Sequence, residues 1–120
     1  AFSHYVRGRD LASKGQVAQA APDFDVMLRS EPGFATAHME RAVIRLKLGA
    51  TAGALADCDF ALQLGVRGRD QATARQILTR FRDQAKAPDL VKAYAELERD
   101  ARNDPRLHAR FAEWFASKQR

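Results

Sequence analysis

Apolar residues recur along this chain at spacings of three and four, the period of helices that bury one face. Ala20, Phe24, Met27 and Leu28 form such a stripe and predict a helix over 17–29. Similar stripes predict helices over 3–14, 35–48 and 52–64, the last burying Ala54, Cys58, Ala61 and Leu62. A longer helix is predicted over 68–86, with Ala74, Ile77, Leu78, Phe81 and Ala85 on one side. The next begins at Pro88, since proline suits a first helical turn, and buries Leu90, Val91, Tyr94, Leu97 and Ala101. Asp104 as N-cap and Pro105 as first helical residue start a seventh helix over 105–118. Leu107, Phe111, Trp114 and Phe115 face inward from it, and His108 beside them is a half-exposed packing residue. Gly15, Gly49 and Gly65 stand where helices end, and Pro32–Gly33 breaks the chain between hairpins. Pro22 lies inside the second helix and should delay its start or kink it. No stretch alternates apolar and polar residues well enough to favour a strand, so the chain reads as all-α.

The first two hairpins also resemble one another. A shift of 34 residues places Gly15 over Gly49, Ala20 over Ala54, Asp23 over Asp57, Asp25 over Asp59, Leu28 over Leu62 and His4 over His38. A self-match at this period marks stacked helical hairpins. In the first unit Gly8, Gly15, Ala20, Phe24, Met27 and Pro32 occupy the small, turn, aromatic and terminal proline slots of one such repeat. In the second unit those slots hold Ala42, Gly49, Ala54, Cys58, Ala61 and Val66. On these residues the chain resembles a tetratricopeptide repeat (TPR) protein over a little more than half its length.

The resemblance implies one domain: repeats at 1–33 and 34–67, a diverged third helical pair at 68–103, and a capping helix at 104–120. Gln76 stands where that third unit would want a small residue. It also implies a right-handed superhelical stack whose concave face is lined by the first helix of each pair. The groove-facing positions would then be Phe2, Tyr5, Arg9 and Ser13, with Thr36, Met39, Val43 and Lys47 from the third helix. Some TPR proteins clamp a peptide's terminal carboxylate with Lys and Asn at such slots. Here Tyr5 and Arg9 occupy the first unit's clamp slots and Glu40 stands where Asn is needed, so that clamp is not reproduced. What remains is a mixed groove suited to a peptide with apolar anchors and an acidic group. In the competing view Tyr5, Met39 and Val43 simply pack against each other and the fifth helix.

Composition narrows the setting. With 120 residues and 46% hydrophobic content the chain can bury one core and is neither disordered nor fibrous. No apolar run reaches the ~20 residues of a membrane-spanning helix, so a soluble form is expected, cytoplasmic or periplasmic. One cysteine cannot form an internal disulfide and leaves the redox compartment open. The sequence starts at Ala1 without Met, so either a leader has been removed or the chain was cut from a longer one. The net charge of +5 resides in residues 67–120, which hold 13 basic and 8 acidic groups; residues 1–66 balance at seven each. This asymmetry points to an acidic partner, nucleic acid or an anionic surface, or to a solvated helical surface from an Arg-rich proteome.

Candidate chemistry is sparse. Cys58 takes the slot of Phe24, so it reads as a small buried residue rather than a nucleophile. His4 and His38 lie on successive first helices without a Cys or carboxylate at ligand spacing, and read as packing residues rather than metal ligands. Asp23–Asp25 and Asp57–Asp59 point to different faces of their helices and read as surface charges near a helix N-terminus. No phosphate-binding glycine loop is present. The expectation is a non-catalytic interaction module without cofactor or metal, a scaffold, adaptor or assembly factor that binds another protein or peptide segment. Membership of a larger complex or a homo-oligomer would fit it; the aromatic last helix would then dock on a partner. The alternative is a basic module for nucleic acid or an anionic surface through residues 67–86, using Arg75, Arg82 and Lys86 on one helical side. It is less favoured, because Phe81 belongs to the buried stripe and leaves no aromatic to stack on bases.

Overall fold

Glycines in the left-handed region end three of the helices, and this punctuation sets the hairpins. The computed structural model describes all 120 residues as seven α-helices with no strand. They are α1 (Phe2–Ser13), α2 (Val17–Ser30), α3 (Ala35–Lys47), α4 (Thr51–Leu64), α5 (Gly68–Phe81), α6 (Ala87–Ala101) and α7 (Pro105–Lys118). Gly15, Gly49 and Gly65 have φ of 77°, 80° and 94°. The next residue's N–H reaches back five positions in each case, Gln16 to Leu11, Ala50 to Arg45 and Val66 to Ala61. Those bonds satisfy carbonyls that a helix end otherwise leaves without a partner. Asp104 caps α7 through the Leu107 N–H at 3.2 Å.

One expected boundary changes, and one expected delay does not occur. The helix expected over 68–86 stops at Phe81 and tightens into a 3₁₀ turn, Arg82–Gln84. Nor does Pro22 delay α2, which starts at Val17. The carbonyl deprived of a donor belongs to Ala18, on the exposed side of the helix, where water can serve it.

Antiparallel pairs α1–α2 and α3–α4 form the two hairpins, and α2 packs on α3 to join them. Tyr5, Ala20, Phe24, Met27, Leu28, Ala37 and Ile44 make the first core. The second joins Met39, Ala42, Ala54, Leu55, Cys58 and Ala61 to Ala74 and Ile77 of α5. The third lies on the other side of α4. There Ala56 and Phe60 meet Tyr94, Leu97 and Ala101 of α6 and Leu107, Phe111 and Phe115 of α7. The aromatic residues of α7 therefore close the protein's own core, with Phe60 against Phe111, Trp114 and Phe115 at centroid separations of 5.3–5.4 Å.

Consequently α5 and α6 do not close on one another as the first two hairpins do. Both pack on α4, against different faces of it, and Leu90 of α6 touches the cores on both. The α6–α7 hairpin also reaches back toward α2: Asn103 Nδ2 donates to the Arg29 carbonyl at 2.9 Å, and Leu107 lies beside Gly33.

Helix spacing within each hairpin depends on paired volumes. A Cβ placed on Gly8 would sit 2.9 Å from the Phe24 ring, which is fully buried and has no room to swing away. The second hairpin has Ala42 at that point but only Cys58 opposite it. Gly8→Ala is therefore expected to lower stability by about 1 kcal/mol, because overpacking of ~1–3 kcal/mol outweighs the ~1 kcal/mol that Ala gains over Gly in a helix. In a Phe24→Leu background the same change should cost nothing. Urea midpoints of the four variants in that cycle measure the coupling.

Candidate functional site

The most concentrated polar chemistry of the molecule lies between α3 and α4. Asp57 is fully buried, at 0% exposure. Arg41 grips it through two bonds, Nε to Oδ2 at 2.9 Å and Nη2 to Oδ1 at 2.8 Å. Arg45 Nη1 adds a third at 3.0 Å. His38 completes the shell, with Nδ1 3.0 Å from Asp57 Oδ1 and Nε2 2.7 Å from the Pro32 carbonyl. From α2, Asp25 approaches Arg41 Nη1 at 3.2 Å. Burial by itself would raise the Asp57 carboxyl, but the Arg41 charge, the His38 contact and the Arg45 charge outweigh it and hold it well below the usual range. Burial also works against the Arg41 charge, and Asp57 reverses that in turn, lifting the guanidinium above its ordinary value.

The first hairpin repeats the arrangement 34 residues earlier. Arg7 bonds Asp23 through Nε at 2.9 Å and Nη2 at 2.6 Å, and His4 Nδ1 lies 3.0 Å from the same carboxylate. The Arg7 bonds hold Asp23 down to about 2 against the opposing effect of burial. The Arg7 side chain is 65% exposed, whereas that of Arg41 is 3% exposed, since α2 and α6 cover only the second set.

These sites correct the expectation of surface aspartates. Asp23 and Asp57 sit three residues after Ala20 and Ala54, on the buried side of their helices. The histidines pack, as His38 does edge-on against Phe60 at 5.1 Å, but they also bond the carboxylates. The missed signal was Arg7 over Arg41 at the same period as the His and Asp pairs. Cys58 is buried, and burial pushes its thiol up to about 12, away from the thiolate a nucleophile needs. No three His, Cys, Asp or Glu side chains gather closely enough to hold a metal ion.

A cleft of about 300 Å³ opens where α1, α2 and α3 meet. Its walls include Ala12, Val17, Val43 and Ile44, with Arg9, Glu40 and Lys47 at its edge. Of the expected groove residues it gathers Arg9, Val43 and Lys47. Arg9 Nε is held by Glu40 at 3.1 Å, whereas Lys47 makes no ion pair.

The other expected groove residues lie elsewhere. Met39 is 3% exposed in the second core with Val43 against it, because position 39 faces α4 and α5 rather than the cleft. Tyr5 is buried too: its ring packs on Phe24 and Phe34, and its hydroxyl donates to Glu40. Phe2, Ser13 and Thr36 are exposed but do not line the cleft.

Along α5 and the turn after it, Arg67, Arg69, Arg75, Arg80, Arg82 and Lys86 make no ion pair. Arg75 shares a shallow depression with Gln76, Thr79 and Arg80. Arg82 instead lines a separate cleft with Tyr94 and Lys118. The face expected of Arg75, Arg82 and Lys86 is therefore divided, since the helix ends at Phe81 before it reaches the last two.

Comparison with protein-family models, with curated proteins and with solved structures found no match. No helix is long and apolar enough to cross a membrane.

Asp57→Asn should cost about 3–5 kcal/mol, because it leaves the buried Arg41 without its counter-charge. The folded carboxyl titrates below the unfolded one. Its contribution is therefore complete above pH ~4 and is lost as pH falls below that value. Urea midpoints of the wild type should fall through this window, and those of Asp57→Asn should fall less. Asp23 supplies the slope that remains, while Asp100, raised by burial, works in the opposite direction.

Proposed function

We propose that this protein is a non-catalytic interaction module of the tetratricopeptide type, a scaffold or adaptor that holds a peptide segment of another protein in the cleft between α1, α2 and α3. The observation that carries this reading is the cleft itself, an open apolar recess where the two repeats meet with an unpaired lysine at its rim. The polar groups that could do chemistry are committed elsewhere: Asp57 to Arg41 and Arg45, His38 to Asp57 and the Pro32 carbonyl, Cys58 to the core. A peptide suited to this recess places an apolar side chain against Val17, Val43 and Ile44 and a carboxylate on Lys47. Arg9 is already neutralised by Glu40 and takes a smaller part.

Selection from a displayed random-peptide library tests this. Enriched peptides should share an acidic residue next to one or two apolar residues. Val43→Glu and Lys47→Glu, each with unchanged helical circular dichroism, should lower their binding tenfold or more, the first by setting a charge against an apolar anchor and the second by removing a charge-assisted contact. Failure to enrich such a pattern, or equal binding by both variants, would refute the assignment.

A further inference from the structure

The arginine that grips the buried aspartate occurs three times. Arg7, Arg41 and Arg75 are spaced by 34 residues. The first two bind a carboxylate 16 residues further on, Asp23 and Asp57, presented by the second helix of the same hairpin. For Arg75 that position is Val91 in α6, and α6 packs on α4 rather than on the Arg75 side of α5. The third arginine thus has its place in the pattern but no carboxylate. It stands exposed on α5, in a depression shared with Gln76, Thr79 and Arg80. Gln76 succeeds Gly8 and Ala42 in the repeat, so this is the side of α5 on which a hairpin's second helix would rest.

The first two hairpins record what covers such a face: a helix with Ala three residues before the aspartate, Ala20–Asp23 in one and Ala54–Asp57 in the other. The surrounding charge favours the same kind of occupant. The six cations from Arg67 to Lys86 are opposed only by Asp70 and Asp83.

We infer that the open face of α5 binds a carboxylate-bearing helix of a partner protein, which completes the third hairpin in trans. Arg75 takes the partner's carboxylate in a two-bond fork, as Arg41 takes Asp57, and Arg80 adds charge beside it. Gln76 is larger than Gly8 or Ala42, so the partner helix stands further out and carries a small or polar residue after its acid. Thr79 replaces Arg45, which leaves fewer donors for the carboxylate than the second hairpin supplies. This face is separate from the cleft beside Lys47, and the two can be occupied independently.

A 16-residue peptide, stapled on its outer face and carrying the Ala-x-x-Asp-Ala pattern, is the direct probe. It would be titrated into the full-length isotope-labelled protein and followed by amide shift changes. We expect shifts centred on Arg75, Gln76, Thr79 and Arg80. Binding should weaken about tenfold or more with an Asn in place of the peptide's Asp, and equally with Arg75→Ala or Arg75→Lys in the protein. Lys47→Glu should leave it unchanged, so failure here and failure of the cleft reading are told apart.

Absence of shifts on α5 would overturn the inference, as would binding indifferent to Asp or to Arg75. A single-stranded oligonucleotide that shifts these amides when the peptide does not would reassign the face to nucleic acid. Arg75-dependent shifts that grow with protein concentration alone would reassign it to a second copy of the chain.

Discussion

A carboxylate removed from water must be given partners, and the burial of Asp57 imposes this requirement on the centre of the molecule. Its partners come from α3, and one of them, Arg41, is in turn approached by Asp25 of α2. One buried charge therefore sets the register of three helices against one another. Such a pair is not strong net stabilisation, because its desolvation offsets much of its attraction. Its value is specificity: slide either helix by one position and two charges are left buried without partners. The first hairpin carries the same device near water, where Arg7 stays exposed and the constraint is correspondingly looser.

The repeat is regular in its hydrogen bonds and irregular in what it buries. Pro22 and Val26 of α2 correspond to Ala56 and Phe60 of α4. That substitution turns a helix with one buried face into a helix with two, and only α4 can receive the α6–α7 hairpin. Phe60 is the anchor, enclosed by His38 on one side and three aromatic residues of α7 on the other. Diversion of α6 to this site is also what leaves α5 without a hairpin partner. The closed back of the molecule and the open face of α5 thus have one cause. The stack of hairpins is thus capped on one face by its own chain and leaves two recesses open.

Much of the architecture could be read before any coordinates, and for local reasons. Glycines at 15, 49 and 65, the Asp104–Pro105 start and the three-four spacing of apolar residues act within one or two turns of helix, so they place seven helices to within a few residues. The stop at Phe81 was less legible, because an apolar stripe continues to Ala85 while the backbone tightens. The candidate site was legible only in part. Arg9, Val43 and Lys47 reach the cleft, whereas Met39 and Tyr5 are taken up by neighbouring helices, which no single-helix pattern could have foretold.

By itself, then, the sequence determined the helices, their buried stripes and the 34-residue period that stacks the first two hairpins, because each of these is written in short-range spacing. Tertiary structure alone decided the rest. Aspartates two apart on a helix look alike in sequence, yet Asp57 is buried and Asp59 is not, since only Asp57 meets the arginines of α3, the preceding helix. Whether α6 closes on α5 or packs instead on another face of α4 is likewise a competition between whole surfaces. Phe60 and its aromatic neighbours won it by the apolar area they remove from water.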